Sequence, residues 1–156
     1  MPGALAPGDL ERIQDHLGDH SEEFVTSNFV ASEGARVRMR TREFNVPSIT
    51  PAQKADGTCV FLDEHDRCRV HAVAPFGCSR FDCHQAIAEG EQRLRLLLAA
   101  QMFAHQRNGV YSIRYQQLRA VGRLAPPINV RRQRYAELEA AEHNTPQQES
   151  QDDRAE

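Results

Sequence analysis

The stretch Cys59-Val60-Phe61-Leu62-Asp63-Glu64-His65-Asp66-Arg67-Cys68-Arg69-Val70-His71-Ala72-Val73-Ala74-Pro75-Phe76-Gly77-Cys78-Ser79-Arg80-Phe81-Asp82-Cys83-His84 holds every cysteine of a 156-residue chain. In a reducing compartment, thiols gathered this closely point to metal ligands or reactive groups rather than to disulfides. The spacing C-x8-C-x9-C-x4-C lacks the paired C-x2-C of a zinc ribbon. It suffices for one tetrahedral zinc ion or one iron-sulfur cluster, with Cys59, Cys68, Cys78 and Cys83 as ligands. The plainer reading, that one or two of them are small buried hydrophobes, leaves the gathering of all four unexplained. His71 and His84 are substitute donors or hydrogen-bond partners of a ligating sulfur, and Arg80 or Arg69 a cation beside an anionic cluster. His65 reads as a solvated turn residue, and His16, His20, His105 and His143 have no neighbouring ligand set.

The local pattern predicts a hairpin. Cys59-Val60-Phe61-Leu62 and Cys68-Arg69-Val70-His71 flank a polar turn, and a turn centred between Asp63 and Glu64 would set Cys59 opposite Cys68. An irregular segment around Pro75 then brings in Cys78. Upstream, Asp9 can cap a short helix with Leu10, Ile13 and Leu17 on one face and Gly18 at its end, and Ser21 can cap a second carrying Phe24, Val25, Phe29 and Val30. Arg36-Val37-Arg38-Met39-Arg40-Thr41-Arg42 alternates as one strand would, with its arginines on one solvated face, and Val46 to Pro51 reads as a turn-rich connection. Downstream, the pattern predicts a long helix over 85–107, a helix capped by Ser112 and running to Leu124, and a last helix over 129–142. These expectations describe a mainly α chain with a small β-hairpin and an irregular metal-binding segment, an α+β single domain stapled by a four-cysteine metal site. Residues 1–87 form the cysteine-cluster region, 88–143 its helical extension and 144–156 a disordered acidic tail.

Composition narrows the function classes. No apolar run approaches the ~20 residues that span a bilayer, and the start Met1 to Pro7 lacks the basic and apolar regions of a secretory signal, so the expected compartment is the cytoplasm. Net charge is -3, and the tail from Asn144 carries all of it. With a near-neutral body and no aromatic residues among the arginines of 36–42, nucleic acid is not an expected partner.

The strings Gly57-Thr58-Cys59-Val60-Phe61-Leu62-Asp63, Arg67-Cys68-Arg69-Val70-His71 and Ala74-Pro75-Phe76-Gly77-Cys78-Ser79-Arg80-Phe81 resemble the YkgJ-like cysteine-cluster family, a zinc- or iron-chelating domain whose core reads C-x-F-L, C-x-I/V-Y/H, R-P-x-x-C-R-x-F. Asp9-Leu10-Glu11-Arg12-Ile13 and Glu22-Glu23-Phe24-Val25 are similar to the helical segment before that core, so the resemblance covers residues 7 to 84. The chain departs from the family in having no cysteine before Cys59, where the family carries a CxxCxxCC run, and in having Ala74 and Ser79 where it has arginines. The resemblance therefore implies a reduced, single-centre variant. The family's relation to flagellin lysine methylases, which carry an iron-sulfur cluster, favours iron over zinc.

The expected function is a 4Fe-4S protein acting as an electron-transfer or redox accessory unit for a partner enzyme. Two alternatives stand beside it: a structural zinc module that binds a partner protein, and a subunit of a larger enzyme with a structural cluster. Either way a partner protein or enzyme complex is implied, and a homo-oligomer is compatible. Four cysteine ligands leave no open position for substrate, and no nucleophile-base pair is visible in the sequence, so no catalytic residue is assigned.

Overall fold

The computed structural model describes residues 3–39, 41–79 and 87–126. Residues through Ala125 form one compact unit. In order, the elements are α1 (Asp9–Leu17), α2 (Glu22–Asn28), β1 (Phe29–Met39), β2 (Arg42–Pro51), a 3-10 turn (His71–Val73), α3 (Phe76–Ser79), α4 (Ile87–Gln106) and α5 (Val110–Ala120). No helix among the described residues is long and apolar enough to cross a membrane. The expected helix over 129–142 and the tail 144–156 lie outside the described residues.

The architecture is α+β, and its sheet is not where the sequence pattern placed one. The antiparallel pair is β1 with β2, running from Phe29 opposite Pro51 to Met39 opposite Arg42. The arginine run therefore folds back on itself. Arg36 and Arg38 stand on β1, whereas Arg42 begins β2, so the arginines do not share one strand face. A register shift between Ser32 and Ala35 divides the ladder. Gly34 sits there at φ 73, and a Cβ on it would lie 1.7 Å from the Val46 carbonyl oxygen, so only glycine fits. Below the bulge the hairpin is core, with Phe29, Ala31, Ser32, Ser48 and Ile49 buried; above it, Arg36, Arg38, Arg42 and Glu43 are exposed.

The predicted helices hold with adjusted ends. Leu10 and Ile13 bury the α1 stripe, Gly18 closes the helix at φ 68, and the Ser21 hydroxyl accepts from the Phe24 N–H at 3.0 Å. Gly8, not Asp9, precedes the first turn of α1. Phe29 and Val30 belong to β1 rather than to α2, and Ser112 lies inside α5, whose N-cap is Gly109.

One apolar core holds these elements together. Phe24, Phe29 and Phe61 meet with ring centroids 5.5 to 6.5 Å apart, joined by Leu5, Leu10, Ile13, Val25, Ile49, Val70, Tyr111, Tyr115 and Leu118. A buried polar node ties α4 and α5 to the hairpin. The Tyr111 hydroxyl accepts from the Ile49 N–H at 2.9 Å and donates to the Leu5 carbonyl at 3.1 Å, while Gln101 Nε2 donates to that same carbonyl at 2.8 Å. His105 makes a second tie. The Pro47 carbonyl, 3.1 Å from Nε2, can only accept, so Nε2 carries the ring proton and Nδ1 accepts from the Ser112 hydroxyl at 3.3 Å.

The expectation of a domain stapled by a four-cysteine metal site is thereby corrected. This continuous apolar core accounts for the cohesion of the described chain. Among the described residues, no group of three or more His, Cys, Asp and Glu is placed to hold a metal ion.

Candidate functional site

The three described cysteines reach one neighbourhood by two routes. After β2 the chain turns through Ala52, whose N–H donates to the Asn28 carbonyl and whose carbonyl accepts from Val60, each at 2.8 to 3.0 Å. Cys59 pairs with Gln53 and Cys68 with Leu62, so the expected Cys59–Cys68 pair of a regular hairpin does not form. The reason lies in the polar loop. Asp63 Oδ1 accepts from the N–H groups of both His65 and Arg67, and Asp66 turns left-handed at φ 57, which draws the loop shut at Leu62 and Cys68. Two residues beyond each cysteine stands a core anchor. Phe61 follows Cys59 and Val70 follows Cys68, each 1% exposed, which holds both half-buried cysteines against the rim of the core.

Cys78 arrives on a separate support, the N-terminal segment. Asp9 is 3% exposed, and its Oδ2 leaves its own helix unserved. It accepts from the Ala6 N–H at 2.8 Å and, across 67 residues of sequence, from the Phe76 N–H at 2.7 Å. Arg12 Nη2 bonds Asp9 Oδ1 at 2.9 Å and reaches the Ala74 carbonyl at 3.3 Å. The Gly77 N–H donates to the Ala4 carbonyl at 2.9 Å, and α3 then delivers Cys78, whose sulfur accepts from the Gly3 N–H. The segment is itself fastened to the hairpin where the Leu5 N–H meets the Ile49 carbonyl at 2.9 Å.

The surroundings of the thiols set their acidity. Burial pushes the Cys59 thiol up; the Phe61 N–H opposes this, the charge of Cys68 adds to it, and the Lys54 ammonium opposes it. Cys78 is pushed up to about 11, first by burial, then by the charges of Cys59 and Cys68, against the Gly3 N–H. Cys78 is exposed by total area, but its sulfur end faces inward, 3.9 Å from where a Gly3 Cβ would stand. The charges of Cys59 and Cys68 both bear on Cys78, yet among the described residues the sulfurs do not meet at one ligand point. Their donor chemistry suits a thiophilic metal: soft sulfurs, two of them accepting backbone N–H groups, as sulfurs that ligate metals commonly do.

The remaining candidates named from the sequence are exposed or lie outside the described residues. His71 is exposed on the 3-10 turn, His65 is exposed with Nε2 3.6 Å from Glu64, and Arg69 is exposed. Cys83, His84, Arg80 and Phe81 lie outside the described residues. Sequence reading missed Asp9 as a bridge, since at the start of an amphipathic helix it reads as a cap. It also missed Gly3, which nothing in the sequence marks. An open groove of about 430 Å³ along α5, lined by Asn108, Ser112, Ile113, Gln116, Gln117 and Ala120, offers no cysteine, histidine or carboxylate. No family model matches the chain, and no curated protein or solved structure matches it.

Proposed function

We propose that this chain binds a thiophilic metal centre, an iron-sulfur cluster, and serves as an electron-transfer or redox accessory unit for a partner enzyme in a reducing cytoplasm. The observation that supports this reading is that two separately anchored segments present Cys59, Cys68 and Cys78, with Cys59 and Cys68 near enough for their charges to bear on Cys78. Burial raises the thiols of Cys59 and Cys78, and a bound cation would offset that cost of forming thiolate. Cys83 is the fourth thiol of the sequence. When bound, a cluster of this kind supplies one-electron transfer at a potential set by its surroundings. The chain's own part is to hold the sulfurs. Phe61 and Val70 exclude water on the core side, the N–H groups of Phe61 and Gly3 are aimed at sulfur, and Cys59 and Cys78 retain their protons at neutral pH until a cation displaces them.

The deciding test is purification without oxygen followed by iron, sulfide and zinc analysis. Brown protein with iron and acid-labile sulfide supports the reading. Colourless protein carrying one tightly held zinc overturns the iron assignment, and protein carrying neither overturns the metal reading altogether.

A further inference from the structure

Cys59 and Cys68 ride on the rim of the core, whereas Cys78 is carried by a loop fastened to the N-terminal segment, so the geometry between the two parts depends on what joins that loop to the body. Beside the Gly77–Ala4 backbone bond, the side-chain joint is Asp9. An aspartate in the first turn of a helix ordinarily serves its own helix's N–H groups, yet both Oδ2 bonds of Asp9 go elsewhere, to Ala6 and to Phe76. Pro75 has no N–H, which makes that of Phe76 the first donor the loop offers after Ala74, only two residues before Cys78. Arg12 completes the clamp by holding Oδ1 and the Ala74 carbonyl together. We infer that Asp9 is a positioning residue for Cys78, setting its place relative to Cys59 and Cys68 and so the number of sulfurs a bound metal receives.

This inference rests on the metal-thiol reading, and its test separates the two. The full-length chain, Asp9→Ala and Asp9→Asn are titrated with cobalt(II), whose sulfur charge-transfer absorption reports the number of bound thiolates. In parallel, the metal-free proteins are alkylated with iodoacetamide and the rate at each cysteine is read by peptide mass spectrometry. Asp9→Ala should weaken cobalt binding roughly 10- to 100-fold, as loss of a group supporting a metal ligand does, and remove one sulfur from the spectrum. In the metal-free protein it should raise the Cys78 alkylation rate and leave those of Cys59 and Cys68 unchanged. Asp9→Asn retains a carbonyl oxygen for Ala6 and Phe76 and should restore most of both signals. An unchanged Cys78 rate in folded Asp9→Ala, or no recovery in Asp9→Asn, overturns the inference. If Asp9→Ala does not fold, Arg12→Ala decides by the same alkylation readout: a faster Cys78 supports the clamp and an unchanged one overturns it. If the unsubstituted chain shows no sulfur-to-cobalt absorption, the metal reading fails, while the alkylation rates still decide the role of Asp9.

Discussion

Tyr111→Phe isolates the polar node that joins α4, α5, β2 and the N-terminal segment. The substitution removes one oxygen and leaves the ring. Of the groups that oxygen serves, the Leu5 carbonyl keeps Gln101 Nε2 at 2.8 Å, and Gln101 keeps that carbonyl. The Ile49 N–H, bonded to the hydroxyl at 2.9 Å, is left buried with no acceptor. One orphaned buried donor costs about 1–3 kcal/mol, so Tyr111→Phe should lower stability by about 2 kcal/mol at pH 7, read from urea unfolding with fluorescence and circular dichroism together. The same variant carries a pH signature. Burial pushes the Tyr111 phenol well above its ordinary range, with the Ile49 N–H and Gln101 opposing. Below about pH 10 both folded and unfolded states keep the proton and the node contributes in full; above it the unfolded chain ionises first and stability falls with rising pH. Phenylalanine has nothing to ionise, so the gap between the proteins should narrow by about 1.4 kcal/mol by pH 11. Cys78 and Tyr115 titrate in both proteins and cancel in the comparison. A loss below about 0.5 kcal/mol at pH 7, or a gap that does not change between pH 8 and 11, would refute the role given to this hydroxyl.

Gly34→Ala places a methyl group against the Val46 carbonyl at a left-handed φ, and should cost more than about 2 kcal/mol or move the hairpin bulge, measured by chemical denaturation and by amide exchange on β1. Ser48→Ala removes a buried hydroxyl that has no hydrogen-bond partner among the described residues, and a stability equal to or up to about 1 kcal/mol above that of the unsubstituted chain is expected; a clear loss in thermal unfolding would show that the hydroxyl has a partner after all.

The legible parts of this fold were those whose signal is local and periodic. Leu10 and Ile13 at helical spacing and the Ser21 cap each satisfy themselves within one element. β2 was hidden because Val46-Pro47-Ser48-Ile49-Thr50-Pro51 carries two prolines, which in a regular ladder would each delete a hydrogen bond. Both fall where that loss is tolerated: Pro47 sits opposite the bulge without a ladder partner, and Pro51 is the terminal residue of the strand. The arginine alternation was read as one strand because period two continues through a tight turn unchanged; only pairing between Met39 and Arg42 reveals the reversal. In the candidate site, the sequence pattern gave no sign of how the segments carrying Cys59, Cys68 and Cys78 are built. The Asp63 side chain shifts the loop pairing to Leu62 and Cys68, and Asp9 reaches Phe76 across most of the unit. Both are side-chain-to-backbone bonds, to which hydrophobic periodicity is blind.

The central claim is that Cys59, Cys68 and Cys78 act together on one metal centre. Differential alkylation tests it most directly: protein reconstituted anaerobically with iron and sulfide, and metal-free protein beside it, are labelled under identical conditions and the adducts mapped residue by residue. The three cysteines should be protected together on reconstitution and released together when the metal is stripped. Labelling of the three at the same rates in both preparations would contradict it.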